Sequence, residues 1–227
     1  MDKRFWGILL VIILILGGIF FATKGSGGNS SATSAQPTNH VEGKGSTGVK
    51  LVEYGDYECP YCAEYYPVIK EVVAAYSPYI YFQFRNLPLT AIHPNAFAGA
   101  RAAEAAGMQG KFWQMHDLLY QNNDYNNQTG WVSSTNALDD YFVGFAQQLG
   151  LNIAKFKSDF SSSQVNNAIN ADVSAFSKTG AQEATPTFFL DGIQIQPSDT
   201  AKSFEQFLNA EIKKKTGSVP NIPNLPS

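Results

Sequence analysis

The only two cysteines of the 227-residue chain stand three positions apart, in Cys59-Pro60-Tyr61-Cys62. They lie where a run with strand character, Val49-Lys50-Leu51-Val52-Glu53-Tyr54, gives way to a run with helix character. A helix N-terminus presents unpaired backbone N–H groups and the positive end of the macrodipole, and both favour a thiolate over a thiol. A cysteine placed there has its pKa drawn below the free value of about 8.5, and the thiolate is the nucleophilic form. A partner three residues on faces it one turn later, close enough for the pair to cycle between dithiol and disulfide. The pair reads as a redox centre.

Two other uses of the cysteines compete with that reading. A zinc site needs four ligands, yet no second cysteine pair exists, and His40, His93 and His116 lack ligand spacing. A structural disulfide is the other rival, but there is no set of further cysteines to form a stapled framework. The net charge of −3, with no basic patch or long charge run, gives no sign of a nucleic-acid partner. Charged residues make up only 15% of the chain, against the usual value of about 25%, so its surface leans on Asn, Gln, Ser and Tyr.

The N-terminal segment is a different material. From Phe5 to Thr23 run 19 residues without a charge, close to the roughly 20 that span a bilayer. Lys3 and Arg4 precede the run, so the positive-inside rule sets the N-terminus in the cytoplasm and everything after Lys24 outside. The rival is a cleaved signal peptide. Its apolar region would be shorter and would end in a small-x-small site, which Phe20-Phe21-Ala22-Thr23-Lys24 does not supply. Residues 1–23 are expected to be a cytoplasmic stub and transmembrane anchor, and the protein a single-pass protein of the cell membrane with its main domain outside. A compartment outside the cytoplasm is one where disulfides persist.

Residues 24–47, rich in Gly, Ser and Thr, read as a flexible linker, with His40 inside it. The main domain is expected over 48–215, and the tail from 216, with Pro220, Pro223 and Pro226, as extended or disordered. Within the domain, the first strand leads to a helix from about Pro60 to Tyr76, kinked at Pro67, and then to a strand Ile80–Arg85. The middle reads as helices: Asn95–Ala106, Lys111–Gln121, about Ala137–Gln148, Ile153–Phe160 and about Gln164–Lys178. An Asn-rich loop interrupts them at Asn122–Gln128. Thr185-Pro186-Thr187-Phe188-Phe189-Leu190 and Ile193-Gln194-Ile195, joined by Asp191-Gly192, signal a hairpin. A helix over about Thr200–Lys215 closes the domain. The fold class is α/β, a mixed sheet covered by helices, with a helical insertion over about 90–180.

This order of strand, Cys-x-x-Cys at a helix start, helical insertion, Thr-Pro before a hairpin and closing helix resembles the thioredoxin superfamily. It is most similar to the membrane-anchored, DsbA-like thiol-disulfide oxidoreductases of bacteria. The resemblance covers about residues 48–213. It is carried by Tyr57-Glu58-Cys59-Pro60-Tyr61-Cys62, Phe84-Arg85-Asn86-Leu87-Pro88-Leu89, Lys111-Phe112-Trp113-Gln114-Met115-His116-Asp117 and Thr185-Pro186-Thr187. It implies that Cys59 is the exposed attacking cysteine, Cys62 the buried resolving one, and Pro186 a cis-proline against the pair. Thr185 would pair with a substrate peptide in strand fashion, and Pro60 and Tyr61 would share the substrate-binding face, Tyr61 also tuning the pair. Glu53 falls where the family keeps a buried acid that takes the Cys62 proton. Its apolar neighbours agree with burial, which raises a carboxyl pKa; an exposed carboxylate near a strand end is the alternative.

The expected function is oxidation of cysteine-containing exported proteins, the pair itself replacing any bound cofactor and a membrane redox partner restoring the disulfide. The same chemistry run backwards, as a reductase or isomerase, is the alternative. A holdase or Cu(I) carrier is a further one. Glu58 is expected to be solvated, His116 to be structural, and His93 to be a surface or capping histidine, with an approach to the active site across the domain seam as the alternative.

Overall fold

The computed structural model describes residues 35–222. The expected anchor (1–23), the first part of the expected linker (24–34) and residues 223–227 lie outside them. No helix among the described residues is long and apolar enough to cross a membrane.

Strand β1 is His40–Glu42, followed by β2, Val49–Gly55, helix α1, Pro60–Tyr76, and strand β3, Ile80–Asn86. The insertion carries α2, Ala96–Gly107, and α3, Phe112–Gln121. The two-residue strands β4, Asn123–Asp124, and β5, Thr129–Gly130, follow. A π-helical turn, Leu138–Phe142, then runs into α4, Val143–Gln148, with α5, Ile153–Phe160, and α6, Ser163–Ser177, behind it. Strands β6, Thr187–Leu190, and β7, Ile193–Ile195, and helix α7, Ala201–Thr216, complete the domain. The five-stranded sheet has the order β1-β3-β2-β6-β7. β2 and β3 are parallel across the α1 crossover, and the other pairings are antiparallel.

Side-chain periodicity explains the layers. Val49 and Leu51 of β2 share a face with Ile80 and Phe82 of β3 and Phe188 and Leu190 of β6. On that face pack Ile69, Val72, Val73 and Tyr76 of α1 and the Phe204–Leu208–Ile212 stripe of α7, whose spacing of four is that of one helix face. Tyr54 and Phe189 point the other way, onto Phe176 of α6. The insertion has its own core, with Trp131, Phe142, Phe156 and the small face of α2 (Ala100, Ala103, Ala106). That core continues to Cys59 and Cys62, so the redox pair sits where the insertion meets the sheet. Gly55, the last residue of β2, has no room there for a side chain, since a Cβ would lie 2.5 Å from the Phe84 ring and 2.8 Å from the Tyr120 hydroxyl. At the hairpin, Asp191 and Gly192 both take positive φ, 50° and 85°, the backbone that a two-residue I′ turn needs.

The linker expectation fails at its C-terminal end. His40–Glu42 pairs with Phe82–Phe84 as an edge strand, and the preceding Thr38 is buried. Its backbone N–H and hydroxyl donate to the two oxygens of Asp172 on α6, at 2.8 and 2.6 Å. His40 stacks on Phe112 and its Nε2 contacts the Glu104 carboxylate at 2.9 Å. Composition misled because the segment is held by partners far along the chain, not by its own apolar content. Asp172 also accepts from the Asn86 backbone N–H at 3.0 Å and its side-chain amide at 3.2 Å. The Asn-rich loop likewise holds the β4–β5 pairing. In the tail, Ile222 packs against the α1–α7 core.

Asp172→Ala would leave the Thr38 and Asn86 backbone N–H groups and the Thr38 hydroxyl without this acceptor, while the Asn86 amide keeps Glu104. Since stranding one buried polar group costs about 1–3 kcal/mol, urea denaturation is expected to show stability lowered by roughly 3 kcal/mol or more.

Candidate functional site: the cysteine pair at the start of helix α1

Cys59 is the N-cap of α1, with φ −65° and ψ 125°, and Pro60 takes the first helical position, where its missing N–H costs nothing. The cysteines are free thiols. Cys62 is fully buried, and its Sγ accepts the Asp56 N–H at 3.5 Å. Cys59 departs from expectation: it is the more accessible of the two, but only 4% exposed. The exposed residue is Tyr61 between them, at 64%. Thr185-Pro186 is a cis peptide, and the Cys59 thiol donates to the Thr185 carbonyl at 3.4 Å. The two sulfurs, the cis-proline segment and Tyr61 thus meet, as the resemblance implied.

The two thiols are driven apart in acidity. The Cys59 pKa is lowered to about 6, first by a hydrogen bond from the Cys62 thiol, then by the Thr185 side chain and the Cys62 N–H, against the opposing effects of burial and the Asp56 carboxylate. The Thr185 hydroxyl is buried with no other partner, so it is free to turn to the thiolate. Burial pushes the Cys62 thiol well up, helped by the hydrogen bond it gives Cys59 and by the charges of Cys59 and Glu53. At neutral pH the pair therefore holds one thiolate, on Cys59, and one thiol, on Cys62.

Glu53 lies on β2 opposite Phe84 on one side and Phe188 on the other, and it is buried. Burial, and then the Cys59 charge, raise its pKa to about 8. It is protonated at neutral pH. The expected buried acid is therefore in place, and the exposed-carboxylate alternative is not what is seen.

Beneath the pair lies a group that sequence reasoning missed. Asp56 is buried; its Oδ1 accepts the Glu58 N–H at 2.9 Å, and its Oδ2 accepts the Leu89 N–H at 2.9 Å and contacts His93 Nδ1 at 2.7 Å. His93 is thus buried and paired, neither a surface nor a capping residue. The Asp56 hydrogen bond raises its pKa. Glu58, expected in solvent, is buried too. It accepts the Asn95 N–H at 2.5 Å, and burial lifts its pKa to about 7. Only the proximity of three acids to the cysteines in sequence hinted at this. Asp56 and His93 are 37 residues apart, and no local pattern pairs them. His116 is structural as expected, boxed by Tyr57, Phe84, Trp113 and Tyr120. No metal-holding cluster of three or more ligating side chains exists among the described residues.

A groove of about 550 Å³ adjoins the pair, lined among others by Tyr61, Tyr65, Thr185, Pro186 and Gln194. A nucleophilic cysteine at a helix start, a buried acid-backed partner and a facing cis-proline define a thiol-disulfide oxidoreductase. The protein belongs to the thioredoxin family, whose model, described as Thioredoxin, matches residues 35–210.

Its fold is the DsbA-like one. BdbD from Bacillus subtilis, in its oxidised form, superposes with a TM-score of 0.66 at 22% identity, covering 79% of this chain and 97% of that one. The oxidoreductase DsbA from Xylella fastidiosa superposes with 0.58 at 17% identity, covering 81% and 92%. A curated relative from Salinispora arenicola, named Na(+)/H(+) antiporter NhaA 1, is 37% identical over 154 residues. That match covers 68% of this chain but only 22% of the relative, so the chain spans about a fifth of that longer protein.

Glu53→Gln isolates the buried acid. Its carboxyl is raised in the folded protein, so the stability its protonated form contributes is complete below about pH 4.5, its unfolded value, and is lost as pH rises through about 8. The Gln variant is expected to gain on the wild type, in the reduced state, by up to ~1.4 kcal/mol for each pH unit across that window. Its release of mixed disulfides through Cys62 is expected to slow severalfold. Parallel denaturation curves at pH 5 and 8 and stopped-flow exchange measure the two effects.

Proposed function

We propose that this chain is a membrane-tethered protein oxidase that introduces disulfides into exported proteins outside the cytoplasm. What supports this direction of electron flow is the setting of Cys59 at the N-cap of α1, where hydrogen bonds from the Cys62 thiol and then Thr185 lower its pKa to about 6. A stabilised Cys59 thiolate is a good leaving group and favours the reduced enzyme, which makes the oxidised form a strong oxidant.

In the forward reaction, a substrate thiolate attacks Sγ of Cys59 in the Cys59–Cys62 disulfide. The S–S bond breaks, its electron pair goes to Cys62 Sγ, and Cys62, with its raised pKa, takes up a proton that the Glu53 carboxyl can supply. The substrate's second thiolate then attacks the substrate sulfur of the mixed disulfide and expels the Cys59 thiolate. Two electrons pass from two substrate thiols to the enzyme pair. The groove beside Tyr61, Thr185 and Pro186 suits an extended peptide whose backbone pairs with the Thr185 segment and whose cysteine reaches Cys59. A quinone-linked membrane partner would take the electrons onward and restore the disulfide. The uncharged run from Phe5 to Thr23, with Lys3 and Arg4 before it, supports the tether and its orientation.

Equilibration of the full-length chain with glutathione buffers tests the direction. A potential in the oxidising range, towards the roughly −120 mV of DsbA, is expected, and one below about −250 mV would overturn the oxidase reading in favour of a reductase. A Cys62→Ser variant is expected to trap mixed disulfides with cysteine-containing exported proteins through Cys59, read on non-reducing gels. Their absence in cells that express the variant would point to a non-catalytic role.

A further inference from the structure

The Asp56–Cys59 turn is where both sulfurs are fixed, and it is tied to a distant loop. The Asp56 backbone touches each cysteine: its N–H donates to Cys62 Sγ at 3.5 Å, and its carbonyl accepts the Cys59 N–H at 3.2 Å. The Asp56 carboxylate closes the same turn by accepting the Glu58 N–H at 2.9 Å. That carboxylate is in turn oriented from outside the turn. His93 Nδ1 at 2.7 Å and the Leu89 N–H at 2.9 Å both meet its Oδ2. The segment makes a further tie, from the Asn95 N–H to Glu58 at 2.5 Å. His93 is held in place by the edge of Tyr125, and neither Asp56 nor His93 reaches solvent.

We infer that His93 is a positioning residue for the redox pair, orienting the Asp56 carboxylate and through it the turn that sets where Cys59 and Cys62 place their sulfurs. The inference rests on the redox reading of the two cysteines. The charged or ionisable groups around His93 are Asp56, Glu58 and the Cys59 thiolate, and each favours its imidazolium. A buried carboxylate left without this partner would seek another donor or a proton, and the turn it closes would be free to relax. The thiolate would then lose the hydrogen-bonding geometry that stabilises it.

Two variants of the full-length chain separate positioning from simple stapling of the fold. His93→Phe keeps a ring but removes the donor. His93→Gln keeps a neutral donor that can reach Asp56. The Cys59 titration, followed by ultraviolet thiolate absorbance, and the equilibrium constant with glutathione are the readouts, since a role confined to stability moves neither. His93→Phe is expected to raise the Cys59 titration and shift the equilibrium constant about tenfold toward the disulfide form, the equivalent of one pKa unit. His93→Gln is expected to restore most of that shift.

Unchanged readouts in the Phe variant would overturn the inference, and so would a Gln variant no better than Phe. Should His93→Phe fail to fold, the native protein decides by NMR. The imidazole of His93 is expected to titrate differently in the reduced and oxidised forms, and identical titrations would overturn the coupling. A wild-type chain that never forms the Cys59–Cys62 disulfide would instead overturn the redox reading itself.

Discussion

The end of a central strand and the start of a helix meet at one point in this protein, and the redox chemistry depends on that junction. β2 is hydrogen-bonded on both sides, by β3 and β6, so its C-terminal end is fixed in space. Helix α1 begins five residues later, with Cys59 as its N-cap. The Cys62 thiol, and then the Thr185 side chain and the first-turn backbone, stabilise a charge on Cys59. The helix axis carries Cys62 inward, where a charge is costly. Two chemically identical thiols thereby become a thiolate and a thiol, and that difference permits ordered exchange.

Around the junction, each packed element supplies one part of the site. The sheet brings Glu53 to the face beneath α1 and flanks it with Phe84 and Phe188, which withholds solvent from its carboxyl. The strand β6 begins just after the cis Thr185-Pro186 peptide and sets the Thr185 carbonyl and hydroxyl against Cys59. The helical insertion covers the other side and brings the Leu87–Asn95 segment over Asp56. Buried acids at three positions of a six-residue stretch (Glu53, Asp56 and Glu58) would repel one another if all were charged. The structure relieves this by three different means: a raised pKa for Glu53, a histidine partner for Asp56, and a backbone donor together with a raised pKa for Glu58.

Much of this was legible from residue order. The strand ends, the helix limits, Pro67 within α1 and the Asp191-Gly192 turn follow from local periodicity and backbone preference, and observed boundaries lie within one or two residues of expectation for most elements. The cysteines, Glu53, Thr185 and Pro186 were legible as a set because their spacing and order repeat a family pattern. The solvated Glu58, the surface His93 and the linker through residue 47 were misread. In each case a polar residue was assigned to solvent on its own character, while its actual partner lies 37 residues away for Glu58 and Asp56, and 134 for Thr38.

The sequence by itself determined where the redox pair stands, because a Cys-Pro-Tyr-Cys run between a strand pattern and a helix pattern leaves one place for it. It pointed to the class of chemistry too, since the cysteine spacing, its strand-to-helix setting and the Thr185-Pro186 segment before the hairpin together repeat a thiol-disulfide exchange pattern. Tertiary structure alone decided how far apart the two thiols' acidities are drawn and which buried groups hold them. Those depend on desolvation and on hydrogen bonds between residues distant in sequence, and both exist only once β2, α1, β6 and the insertion have packed together.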